Sequence, residues 1–173
     1  MKTLICIIFL FPLIIFSQTK TKLSFNDSLM INMCIEAHNK LNYDSLSLVT
    51  INKINNYRKE NDLNILIVDT TMNNYCENWS KLCIKSKYNI KHSDLSKTDY
   101  KGENIHLKFG SLGAYILGKK LFERIPDEIL FGWQNSEGHN RNLLKNGVTK
   151  IGLHFSTFYD GYEYRLVAVM VIK

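Results

Sequence analysis

Apolar residues along this chain follow two periodicities, helical in its first two thirds and alternating at its end. From Asp27-Ser28 a helical spacing runs through Leu29, Met33, Cys34, Ala37 and Leu41. Asn42 to Ser47 reads as a break. A second helix follows, with Val49, Ile54 and Tyr57 on one face and Asn55 and Arg58 beside them, and stops in the polar cluster Glu60-Asn61-Asp62. After the apolar segment Leu63 to Val68, Asp69 with Thr70 and Thr71 forms an N-cap cluster, since short oxygen-bearing side chains accept from the first free amides of a helix. The third helix extends to about Lys87, with Met72, Cys76, Trp79 and Cys83 as its buried stripe.

Asn89 to Lys101 is a polar loop containing His92. Glu103 to Phe109 alternates as a short strand with Ile105 and Leu107 on one face. Ser111 to Glu123 returns to helical spacing through Leu112, Tyr115, Ile116 and Phe122. Pro126 suits the first turn of a further helix, capped near Ile125, carrying Ile129, Leu130 and Trp133 inward and ended by Gly138. Lys150 to Ser156 and Tyr162 to Ile172 read as strands, joined through a hairpin turn at Phe158-Tyr159-Asp160-Gly161. Helices first and an antiparallel hairpin last predict an α+β domain with helices packed on the sheet.

Composition adds the compartment. Lys2 followed by the apolar run Leu4 to Phe16 and the small-residue point Ser17-Gln18 is a signal-peptide pattern, shorter than the roughly 20 residues of a membrane span. An uncleaved anchor is the alternative. Cys6 lacks the small residues that would precede a lipoprotein cleavage site. The expected organisation is a signal peptide over 1–17, an N-terminal extension with a helix over 18–48 and a folded domain over 49–173. The product is expected to be secreted, extracellular or periplasmic, monomeric, and without a transmembrane span after cleavage. Its 173 residues, 45% hydrophobic and 22% charged, suffice for one real core. The formal charge of +6 comes from scattered lysines and arginines, and no nucleic-acid-binding motif accompanies it. Cys76 and Cys83 stand seven apart on one helix, about 10.5 Å of rise, too far for the ~7 Å limit of a disulfide. Cys34 can pair with either, or all three can be buried thiols.

The densest chemistry lies in Trp133 to Leu144, reading W-Q-N-S-E-G-H-N-R-N-L-L, with His92-Ser93 and Gly102-Glu103-Asn104-Ile105 upstream. These three segments are expected to converge on one cavity with His92, Glu103 and His139 facing each other. Two neutral imidazoles and a carboxylate are a normal ligand set for a divalent metal such as Zn²⁺, leaving one position to water; the same groups suit acid–base work. His38, His106 and His154 read as structural. Arg141, Asn142 and Asn104 read as holding loop backbones, and Gly102 and Gly138 as supplying permissive angles.

The ordered set H-S, G-E-N-I, G-W-x-N-S-x-G-H-x-R-N-L-L and I-G-x resembles the CAP superfamily of SCP-like extracellular domains. That group spans cysteine-rich secretory and pathogenesis-related proteins and bacterial secreted members. The likeness extends back to Ile54, Asn55, Arg58 and to Val68, Asp69, Met72, covering roughly 49 to 173. It implies an α-β-α sandwich with a small antiparallel sheet flanked by helices, and a cleft of two histidines and two acids that binds a divalent metal in some members. His92, Glu103 and His139 match three of those places. The fourth, an acid in many relatives, is Ser136 here, with Glu137 one residue later; Glu137 is expected to face solvent. The function implied is an extracellular module binding an unidentified ligand or protein. Two alternatives stand beside it: a metal-dependent hydrolase using the same cleft, and a lipid or sterol carrier. No serine or cysteine nucleophile motif supports turnover, and Ser93 beside His92 is too little for a dyad.

Overall fold

The computed structural model describes residue 32 and residues 42–86, 90–111, 119–159 and 163–173. The expected signal peptide, most of the helix expected over 27–41, Cys34 and His38 lie outside them. Among the described residues are four α-helices: α1 (Tyr43–Glu60), α2 (Thr70–Lys85), α3 (Lys119–Gln134) and α4 (Glu137–Leu143). The strands are β1 (Ile67–Val68), β2 (Gly102–Ser111), β3 (Lys150–Tyr159) and β4 (Glu163–Ile172), in the order β1-β3-β4-β2. β4 pairs antiparallel with both β2 and β3, whereas β1 joins β3 in parallel, so the sheet is mixed.

β4 is the central strand, and its alternation divides the core. Leu166, Ala168, Met170 and Ile172 face one cluster with Ile51 and Ile54 of α1, Ile125, Ile129 and Trp133 of α3, and Leu143 of α4. Val167, Val169 and Val171 face the other, with Met72, Cys76 and Cys83 of α2 and Ile105 of β2. Because side chains of a strand alternate sides, a run apolar at every position must be covered twice. The result is an α-β-α sandwich, with α1, α3 and α4 on one face and α2 on the other.

Several local expectations are corrected. Asn42 to Ser47 is no break: Asn42 caps α1 by accepting from the Ser45 amide, and the helix continues through residue 48. An asparagine before an acidic first turn starts a helix as readily as it interrupts one. Val49 is exposed, and Ser47, Thr50, Ile51, Ile54 and Arg58 form the inner face instead. Asp69 caps α2 as expected, accepting from the Thr71 and Met72 amides. Trp79 is only half-buried, its indole N–H donating to the Lys91 carbonyl, while Ser80 takes the buried position beside it.

Pro126 lies inside α3 and does not begin a new helix. Its missing N–H costs one helical hydrogen bond, but Ile125, Ile129 and Trp133 bury one continuous stripe across it. Gly138 does not end that helix either; α3 stops at Gln134 and Gly138 lies within α4. Neither Gly102 nor Gly138 has a positive φ. Among the described glycines only Gly147 does, at 73°. Gly102 is required for closeness, because a Cβ there would stand 2.5 Å from Asn142 Oδ1. Cys76 and Cys83 are free, buried thiols. Burial pushes both thiols up, Cys83 to about 11.

Candidate functional site

Glu103, near the start of β2, is the hinge of the site. Its side chain is only 1% exposed, yet both carboxylate oxygens are occupied. Oε1 accepts from His92 Nδ1 at 2.8 Å and from the Ser93 amide at 2.9 Å; Oε2 accepts from Ser93 Oγ at 2.5 Å. Three donors and no acceptor surround it, which suits an ionised carboxylate. Ser93 is thus more than a neighbour of His92. It is the residue that anchors the carboxylate, and only the H-S adjacency hinted at it. Behind it stands Tyr75, stacked edge-on against Tyr100 at 4.9 Å. Burial raises the Tyr75 phenol above its ordinary range, partly offset by a hydrogen bond with Ser93.

The Glu103 contact fixes Nδ1 of His92 as donor and leaves Nε2 facing outward on a ring 61% exposed. His139, on α4, completes the pair, with ring centroids 6.2 Å apart. Burial, then the neighbouring His92, holds the His139 imidazole below its ordinary range, favouring the neutral form.

The position of α4 is set by amides. Asn142 Nδ2 donates to the Glu103 carbonyl (3.0 Å) and to Asn104 Oδ1 (2.8 Å), and Asn104 Nδ2 donates to the His139 carbonyl (3.1 Å). Asn104 and Asn142 thus tie β2 to α4, and Gly102 is small so that Asn142 can lie on it. Arg141 does not share this duty; it is exposed and pairs with Glu137 at 3.0 Å. Arg58 takes the role instead. Fully buried, it donates to the carbonyls of Asn64, Leu143 and Lys145, pinning the end of α4.

At the fourth position, Ser136 is the N-cap residue of α4 without a side-chain cap bond, and Glu137 is 93% exposed. His106 lies on the face of β2 opposite Glu103, near His139 and against Gly132, and burial lowers its pKa. Among the described residues no three His, Cys, Asp or Glu side chains are grouped to hold a metal ion. As ligands His92, Glu103 and His139 are not equivalent. Both oxygens of Glu103 are engaged in holding His92 and Ser93, so a three-ligand set does not fit this arrangement. The free donors are His92 Nε2 and the His139 ring, with Glu103 behind them in the way a carboxylate orients a ligating imidazole.

Residues 51–172 match the model of the CAP family, described as the cysteine-rich secretory protein family. No curated protein sequence matches the chain. Among solved structures it is similar to an outer surface protein from Borrelia burgdorferi (17% identity, TM-score 0.54, covering 77% of this chain and 96% of that one). It is also similar to BmVAL-1 (16% identity, TM-score 0.56, 78% of each chain). A third structure is an extracellular SCP-domain protein from Bacillus anthracis (20% identity, TM-score 0.48, 73% and 41%). The first two share this fold, and no helix among the described residues is long and apolar enough to cross a membrane. With the family model spanning α1 to β4, the chain belongs to the cysteine-rich secretory protein, or CAP, family.

Proposed function

We propose that this chain is an exported binding module whose cleft presents His92 Nε2 and the His139 imidazole to an extracellular ligand. The observation that carries this reading is the Glu103 contact: a buried carboxylate fixes one face of the His92 ring and leaves the other to solvent. A divalent metal such as Zn²⁺ is one ligand of matching chemistry, held by the two imidazoles with water in the remaining positions and Glu103 outside the coordination shell. A two-imidazole set is sparse, so its affinity is expected to be modest.

Calorimetric Zn²⁺ titration of the exported protein tests this. Binding should disappear in His92→Ala and His139→Ala, weaken about 10–100-fold in Glu103→Gln, and remain unchanged in Glu137→Ala. Equal loss in Glu137→Ala, or indifference to both histidines, overturns the two-imidazole reading.

One observation favours a second reading, hydrolysis. A carboxylate orienting an imidazole is the base half of a hydrolytic site. The nucleophile would be water, since Ser93 is committed to Glu103 and both described thiols are buried with raised pKa values. Turnover of peptide, glycan or ester substrates that survives in Glu137→Ala but not His92→Ala supports it.

A further inference from the structure

One described cavity lies apart from the histidine cleft. It is an open groove of about 870 Å³ at the opposite edge of the sheet, between α1, β1, the start of α2 and β3. The cleft sits on β2, which is one edge strand; the groove sits on β1 and β3, at the other. They share no lining residue. A volume of this size lies in the range of small-ligand sites.

The lining is specific in character. Asp44, from the first turn of α1, and Glu77, from α2, line the groove together with Asn73, Asn74 and His154. Leu48, Ile51 and Val68 supply apolar wall. No lysine or arginine is among the described lining residues, on a chain whose formal charge is +6. Two neighbouring cations are already paired, Lys81 with Glu77 at 2.5 Å and Lys150 with Asp69 at 2.8 Å; the first of these pairs is the one at the groove wall. That pair is exposed and of the weak i,i+4 kind, so a ligand cation can displace it.

His154 is held ready rather than buried away. Its Nδ1 lies 3.3 Å from Ser80 Oγ, which is itself 2.7 Å from Ser156 Oγ, and its ring stands 6.0 Å from Tyr43. Ser47 gives an independent sign of an occupant. It lines the groove, is only 5% exposed, and its hydroxyl has no hydrogen-bond partner. A buried unpaired hydroxyl carries a desolvation cost that a ligand's hydrogen bond would remove.

The helix N-termini that open on the groove pull the other way, since their partial positive charge favours anions. Both are already answered: Asn42 caps α1 and Asp69 caps α2, with Lys150 on the Asp69 carboxylate. The carboxylates of Asp44 and Glu77 then set the local field. We infer that this groove is a second binding site, which takes a short basic peptide: ammonium or guanidinium groups against Asp44 and Glu77, and an apolar side chain against Leu48, Ile51 and Val68.

The test is amide NMR titration of the full exported protein with three capped tripeptides, Lys-Leu-Lys, Glu-Leu-Glu and Ala-Leu-Ala. Lys-Leu-Lys should bind in the millimolar range or tighter, with shifts centred on Ser47, Asn73, Asn74 and His154. Asp44→Asn with Glu77→Gln, shape-preserving changes on exposed or half-exposed side chains, should weaken it at least tenfold; His139→Ala should leave it unaltered. Equal or tighter binding of either other peptide, shifts centred on His92 and His139, or no binding of Lys-Leu-Lys overturns the assignment.

Discussion

What sets Glu103 apart is what it lacks: solvent, and an oxygen without a donor. Its side chain is held by His92, by the Ser93 amide and by Ser93 Oγ. Ser93→Ala removes one donor to a buried charged acceptor and puts nothing in its place. A hydrogen bond to a charged group is worth about 1.5–3 kcal/mol, so the urea midpoint should fall by that equivalent. The His92 ring should also lose its fixed orientation, visible as averaging of its side-chain NMR signals. Full stability and an ordered ring in Ser93→Ala would show that the backbone amide alone holds the carboxylate.

Elements meet here through glycine. α2 crosses β3 at Gly152, where a Cβ would stand 2.4 Å from the carbonyl carbon of Met72 and 2.6 Å from its oxygen. These are backbone atoms and cannot rotate aside. Gly152→Ala must push α2 off the sheet and should cost about 1–3 kcal/mol or more, the range of overpacked cores. Gly138 is the contrast: within α4, at ordinary φ, with nothing within 4 Å of its would-be Cβ. Gly138→Ala should be neutral or stabilise by up to about 1 kcal/mol through helix propensity. Urea unfolding of both variants decides it; the same sign for both would break the argument. Arg58 shows the same dependence on elements meeting, since its buried head satisfies carbonyls 85 and 87 residues downstream.

For the whole molecule, the half-buried histidines set the response to acid. Burial holds the His106, His139 and His154 imidazoles below the ordinary histidine range. In the unfolded chain they titrate near about 6.5. Between the lowered folded values and that point the unfolded chain binds more protons, so stability rises with pH there. Their contribution is therefore complete above about pH 6.5 and is lost as pH falls through the folded values. The lowered carboxylates, Asp69, Glu77, Asp94 and Asp99, act only at more acid pH, and all are largely solvent-screened. Urea midpoints should be flat from pH 8 to about 7 and decline between about 6.5 and 5. A flat profile down to pH 5 would contradict this assignment of the half-buried imidazoles.

Much of this was legible along the chain because its causes are local. The Asp69 cap, the β-branched and aromatic run that becomes β4, and the ordered motifs bearing His92, Glu103 and His139 each depend on near neighbours and composition. Glu137 faces solvent as expected, though not through a helical rotation from Ser136: α3 stops at Gln134 and Glu137 begins α4. What the tertiary structure decided are relations between distant segments. Pro126 stays inside α3 because Ile125, Ile129 and Trp133 share one core, and packing there outweighs one lost hydrogen bond. Both Glu103 oxygens are engaged because Ser93 and His92 fold onto them. Ser47 and His154, unremarkable in sequence, line one groove because α1 and β3 pack side by side, and a pattern along one chain carries no record of which faces will meet.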